Sequence, residues 1–290
     1  IKDLKSNFEV ITKSLQLECG GNGRAFFEPP ALGNQWSYGA ISCSEWTGVR
    51  LSDVIKSSGI KPSSIYTGHY GADLHLSGDT NKNALSRGVP IKKALDENNI
   101  IAFAMNNEEI PLIHGSPLRL ICPGWPGSTS QKWLNKIELL DQVHDGAKMT
   151  GKSYKVPKIP VKPGEKVDIS GLEIIESMPI KSLITFPKTG LQHNSNNLNI
   201  RGHAWAGDKQ VKEVRISIDY GATWIQANLS NPVNKYAWQN WDLNLSFPSK
   251  GYFEIWSRAI DENNISQPFD ISWNPKGYLN NTVHRIYINI

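Results

Sequence analysis

Cysteine is scarce in this 290-residue chain, and Cys19, Cys43 and Cys122 stand far apart. An odd, dispersed set builds no disulfide framework, and no CxxC or Cys/His pair has zinc-finger spacing. Long apolar runs are missing as well. Nothing approaches the roughly 18 residues of a membrane helix, so no membrane span is expected. Charge of one sign is not in excess: the formal net charge is +4 and no basic stripe is clustered, which argues against nucleic acid as a partner. An initiator methionine and a signal peptide are also lacking. The opening IKDLKSNFEVITKSLQLECGG reads as interior sequence, so the chain is expected to be a fragment or a processed form. What is present is ordinary for a globular protein. Hydrophobic residues at 39% and charged ones at 20% exclude a disordered chain, and the length allows two domains with real cores.

The first half mixes short apolar runs with Gly/Pro-rich turns. Leu51–Lys56 and Pro90–Leu95 have helical periodicity, whereas Ile100–Ala104 and Leu118–Ile121 read as buried strands. Residues 156–165 (VPKIPVKPGE) form the best linker in the chain. Beyond them the period changes to two. Val214, Ile216 and Ile218 alternate with polar residues before a turn at Tyr220-Gly221-Ala222, and Ile286, Ile288 and Ile290 do the same near the end. This pattern predicts an all-β sandwich of roughly 120 residues. Trp205, Trp224 and Trp256 fall at strand-like positions and are expected in its core.

The segment Glu18–Pro30, ECGGNGRAFFEPP, carries the most chemistry. A cysteine followed by two glycines offers a thiolate on a backbone that something can approach closely. Thiolate is a soft ligand for a transition metal, and the nearby Arg24 favours its charged form. A buried structural cysteine beside a turn explains the motif equally well. In PGWPGSTSQKW, the loop 124–130 can aim N–H groups at an anion, with Arg119 able to fork onto phosphate oxygens and Lys132 adding a point charge.

CGGN, then Trp36, then GAISCSEWTGVRLSDVI, then HGSPLRLICPGWPGSTSQKWL, then RGHAWAGDKQVKEVRISIDYGATW together resemble the sulfite oxidase family of molybdenum enzymes. The resemblance runs over essentially the whole chain. It implies an α+β molybdenum-cofactor (sulfite oxidase-like) domain, N-terminally incomplete, over about residues 1–155, followed by an immunoglobulin-like β-sandwich over about 160–290 that serves as a dimerisation domain. It implies a molybdenum pyranopterin cofactor and no haem in this chain.

By the same resemblance Cys19 is the metal ligand, and His114, Arg119, Ser130 and Lys132 hold the pterin and its phosphate, with Asp73 as a further cofactor contact. Arg24 and Trp36 line the substrate pocket, Tyr154 stands beside the metal, and Arg285 is contributed near the pocket by the β domain. Each has a plainer reading: His114 as a turn cap, Lys132 and Arg285 as solvated charges, Trp36 as core. His69, His75, His144 and His203 match no metal-ligand spacing, and Cys43 and Cys122 sit in apolar contexts.

The strings HYGAD, VHDGAKMTGKSY and IESMPIKSLIT resemble one branch of the family, the molybdenum subunits of Sox-type sulfane dehydrogenases. That branch implies periplasmic oxidation of sulfane sulfur, held as a persulfide on a carrier protein during thiosulfate oxidation, with electrons passed to a c-type cytochrome subunit. Sulfite oxidases usually carry two arginines after their C-x-G-N motif. Here Gly23 precedes a single Arg24, which suits a bulkier and less charged substrate than sulfite or, alternatively, only relieves a tight loop. Two other functions are compatible with the chain: sulfite dehydrogenase of the same family, and a non-catalytic β-sandwich binding protein with a decayed cofactor domain.

Overall fold

The structure, a computed structural model, describes all 290 residues. After the short helix Lys2–Asn7 (α1), the strand Val10–Glu18 (β1) pairs antiparallel with Ile41–Arg50 (β2) from Val10↔Val49 to Glu18↔Ile41, so β1 ends one residue before Cys19. On β2 the side chains of Ser44 and Trp46 turn inward, the period-two burial of a half-covered strand. Helix Leu51–Ser58 (α2) follows at once and buries Leu51 and Ile55.

The strand Tyr66–Gly71 (β3) forms a separate antiparallel ribbon with Leu134–Leu140 (β7). One turn of helix, Ile91–Ala94 (α3), starts after Pro90, whose fixed φ suits a helix entry. Ile100–Met105 (β4) lies beside β2 and pairs with both Glu108–Glu109 (β5) and Arg119–Ile121 (β6), completing a five-stranded antiparallel sheet. Val49, Leu51, Ile55, Ile101 and Leu120 pack with Cys122 as the core of this region. The two helices and two buried strands expected in the first half are all present, within a residue or two of their predicted ends. The proline-rich stretch 156–165 begins inside a strand, Lys155–Pro157 (β8), paired with Leu172–Ile174 (β9).

By its internal packing the chain divides into two units. The first comprises Ile1–Ser177 together with Trp273–Tyr278, and the second Met178–Ser272 with Leu279–Ile290. The second unit is the expected immunoglobulin-like β-sandwich. One sheet orders Lys181–Phe186 (β10), Asn197–Trp205 (β12), Gln239–Ser246 (β16) and Asn228–Leu229 (β15). The other orders Leu191–Gln192 (β11), His284–Asn289 (β18), Tyr252–Asp261 (β17), Val211–Ser217 (β13) and Ile225–Gln226 (β14).

Val214, Ile216, Ile286 and Ile288 are buried between the sheets, as their alternation predicts. The tryptophan at the centre is a different one, Trp241 on β16. It packs over Gly202 of β12, where an added Cβ would stand 2.4 Å from the indole ring and 2.0 Å from Leu183 O. Trp205 and Trp256 are buried outside that cluster, and Trp224 is only half-buried against Phe269. No helix is long and apolar enough to cross a membrane.

Candidate functional site

β1 delivers Cys19 into a turn that is pinned from several sides. Cys19 N donates to Ala40 O at 2.9 Å, Asn22 N donates to Cys19 O at 2.9 Å, and Gly21 N points at Cys19 Sγ at 3.4 Å. The fully buried Asn22 donates through Nδ2 to Glu18 Oε1 and accepts from Ala40 N, which ties the turn to its own strand. Gly23 has φ +88° and ψ 9°, the left-handed region, and its N–H donates to Ser37 O. Any other residue there is strained. The absence of a second arginine thus has a backbone cause, whatever it also does for substrate. The Cys19 thiol is free and partly exposed.

Arg24 is buried, and its guanidinium is largely committed. Nε donates to Lys276 O at 2.6 Å and Nη1 to Asn34 O at 2.8 Å, so it clips two loops onto the cysteine turn. Trp36, on one of those loops, is 46% exposed and stands at the rim rather than in a core. Tyr154 adopts φ +54°, uncommon for a non-glycine residue. Its N–H donates to the Tyr278 hydroxyl at 3.3 Å and the two rings stack with centroids 5.7 Å apart. Burial pushes the Tyr154 phenol up, Tyr278 and the Cys19 sulfur push in the same direction, and Arg87 opposes them. Cys19, Arg24 and Tyr154 therefore belong to one constellation, joined by two residues the sequence did not single out, Arg87 and Tyr278.

A second cluster gathers on the loop that leaves β6. The loop is braced from α3, where Lys93 Nζ donates to Pro123 O, and from within, where Cys122 N donates to Ser130 Oγ at 2.9 Å. A parallel bridge between Glu18 and Pro126 sets it against the end of β1, beside Cys19. Arg119 Nη1 donates to His114 O at 3.0 Å, and Lys132 Nζ donates to Ile113 O at 2.9 Å. His114 itself is exposed and enters through its carbonyl.

Burial pulls the Arg119 guanidinium down to about 10. Lys132 is lowered first by burial and then by Arg119, with Asp73 acting the other way. Within this cluster Arg119 Nε, Asp73 Oδ1 and Gln131 Oε1 are buried without a hydrogen-bond partner. Buried polar atoms are almost always paired, so three orphans of complementary kinds around one loop ask for a polar ligand. Gln131 is an addition to the expected set. Arg285 lies in the second unit, where it donates to Phe269 O at 3.2 Å and stands 4.2 Å over the Trp256 ring.

Residues 1–148 match the oxidoreductase molybdopterin binding domain family, and residues 172–290 match the Mo-co oxidoreductase dimerisation domain. The chain is 31% identical to mitochondrial sulfite oxidase of Drosophila melanogaster, over 94% of this chain and 50% of that protein. It is 29% identical to the human mitochondrial enzyme, over 98% of this chain and 54% of that one. The chain thus spans about half the length of the curated relatives it matches. The crystal structure of the sulfane dehydrogenase SoxCD from Paracoccus pantotrophus superposes with a TM-score of 0.80 at 27% identity, covering 99% of this chain and 70% of that one. With both family models matched in order along the chain, and a relative 31% identical over 94% of it, this chain belongs to the molybdopterin-binding oxidoreductase family that includes the sulfite oxidases.

Proposed function

We propose that the chain forms the molybdenum-bearing part of an oxidoreductase that oxidises sulfane sulfur carried as a persulfide, passing electrons to a c-type cytochrome in the periplasm. The observation that carries this reading is a free, accessible thiol at Cys19, on a turn bridged to the loop that leaves β6, together with unpartnered buried atoms of Arg119 on β6, Asp73 after β3 and Gln131 at that loop's end. Those residues fit the cofactor: a soft thiolate for the metal, and fixed cations and amide or carboxylate acceptors for a phosphorylated pterin. Cys19 would ligate the metal, while Arg119, Lys132, His114, Ser130, Asp73 and Gln131 would hold the pterin and its phosphate. When bound, the group supplies two-electron redox chemistry and oxygen transfer at sulfur.

The chain's own residues do the rest. Arg24 cannot swing freely onto substrate, because two of its donors hold backbone carbonyls. It contributes a fixed positive field and keeps the 31–35 loop, with Trp36 beyond it, seated at the pocket. Tyr154, whose phenol burial pushes up, offers a hydroxyl proton donor near the Cys19 sulfur. The second unit would join two copies about a two-fold axis.

Sulfite is the second candidate substrate, supported by identities of 29–31% to sulfite oxidases. The full-length protein assayed with free sulfite and with a persulfidated carrier protein separates the two. Faster turnover of the carrier is expected, and a strong preference for sulfite refutes the sulfane reading. A decayed, non-catalytic chain is disfavoured, since buried orphaned charges cost stability and have no reason to persist without a ligand.

A further inference from the structure

Arg87 lies outside every motif of the site and is completely buried. Its Nη1 donates to Lys148 O at 3.1 Å, while Nε and Nη2 have no partner and no carboxylate meets it. Its surroundings are phenols and imidazoles. The guanidinium stands 4.8 Å over the Tyr154 ring, and its field reaches Tyr66, Tyr278, His69 and His144. Taking a guanidinium out of water is expensive unless an anion balances it, and one aromatic face returns only part of that cost.

The place of this charge is informative. Tyr154 stacks on Tyr278, whose ring edge lies 3.5 Å from where a Cβ on Gly20, the neighbour of Cys19, would stand, and the Arg24 guanidinium stands 5.1 Å over the Tyr278 ring. The contacts Arg87–Tyr154–Tyr278–Arg24 thus set two cations, separated by two aromatic rings, beside the cysteine turn. Arg24 spends its donors on carbonyls, whereas Arg87 keeps two of its nitrogens unpaired.

We propose that Arg87 is the fixed counter-charge for an anion held at the Cys19–Tyr154 site, acting across the Tyr154 ring. The anion is either the metal–pterin group or a sulfur oxyanion. The proposal rests on the reading of this site as a molybdenum centre, and the two are separable by experiment. An unbalanced buried cation destabilises the anion-free protein and is compensated on binding. Removing it therefore has effects of opposite sign in the two forms.

The test uses the full-length protein prepared with and without the cofactor, as wild type, Arg87→Met and Arg87→Lys. Melting temperature and molybdenum content per chain are measured. Arg87→Met is expected to raise the melting temperature of the cofactor-free form by about 3–8 °C. It is also expected to lower molybdenum retention at least ~10-fold, a step that corresponds to about one pK unit of lost interaction. Arg87→Lys, which keeps the charge, should recover part of the retention. Equal loss of melting temperature in both forms, with normal molybdenum content, would make Arg87 a structural strut and overturn the proposal. If the wild type itself takes up no molybdenum, the molybdenum reading fails, and sulfate titrated onto the cofactor-free proteins decides the matter. Stabilisation of wild type but not of Arg87→Met upholds the counter-charge, and equal response refutes it.

Discussion

Replacing Gly23 separates backbone from charge at the one position where the cysteine turn departs from the two-arginine pattern. Gly23 sits at φ +88°, ψ 9°, with its N–H given to Ser37 O and its carbonyl accepting from Phe26 N. An L-residue pays roughly 1–2 kcal/mol in this region, and asparagine less. Gly23→Ala and Gly23→Arg should therefore both cost about 1–2 kcal/mol, which for domains of this size is a fall of roughly 2–8 °C in melting temperature. Only Gly23→Arg adds a long cationic side chain next to Cys19. It is expected to slow oxidation of carrier-bound sulfane sulfur and to raise any activity towards free sulfite, while Gly23→Ala leaves their ratio unchanged. The assay is steady-state turnover of both substrates by full-length variants, normalised to molybdenum content. If Gly23→Ala shifts the substrate ratio as far as Gly23→Arg does, the charge argument is wrong. If neither variant loses stability, the backbone argument is wrong.

Cys19→Ser should abolish metal retention and turnover while far-UV circular dichroism stays unchanged; wild-type turnover would end the ligand assignment. Gly202→Ala drives a Cβ to 2.0 Å from Leu183 O and against Trp241, so the sandwich should lose about 3 kcal/mol or more by denaturant titration. Burial, with a smaller push from Lys188, holds the imidazole of His284 down to about 4, and its Nδ1 accepts from Ile184 N. The unfolded chain binds that proton near the ordinary histidine value of about 6.5, so stability is full above that pH and falls between about 6.5 and 4, by up to about 3 kcal/mol. His284→Asn should flatten the acid limb, and an unchanged limb would refute the assignment. In sedimentation velocity the full-length protein should run as a dimer, and a monomer at high concentration would count against the role given to the second unit.

Short-range patterns were readable from residues alone. The 3.6-residue period placed α2 and α3, short apolar runs placed β4 and β6, and the two-residue period placed β13 and β18, because all three signals need only local spacing. Local too are the reasons for CGGN: β1 must end, the backbone must turn, and Asn22 must reach back to Glu18. The resemblance then supplied Cys19, Arg119 and Lys132 as a set. Burial without a partner is not local, however, and that is what distinguishes Arg87 and Gln131 from other polar residues in strand-and-turn sequence.

Tyr278 was invisible for a different reason. Trp273–Tyr278 sits within the sandwich's stretch of sequence yet packs with the first unit, and only long-range packing brings its hydroxyl to the Tyr154 backbone. Trp241 rather than Trp224 fills the core because the interior space depends on which glycine stands opposite, here Gly202 across the β12–β16 pair. Arg24 was legible as a cation at the site, but the carbonyls of Lys276 and Asn34 decide that it holds the loops in place. Sequence specified the residues able to bind a metal, a phosphate or an anion. Tertiary structure decided which of their hydrogen bonds are already spent, since that depends on partners that converge only when the chain folds.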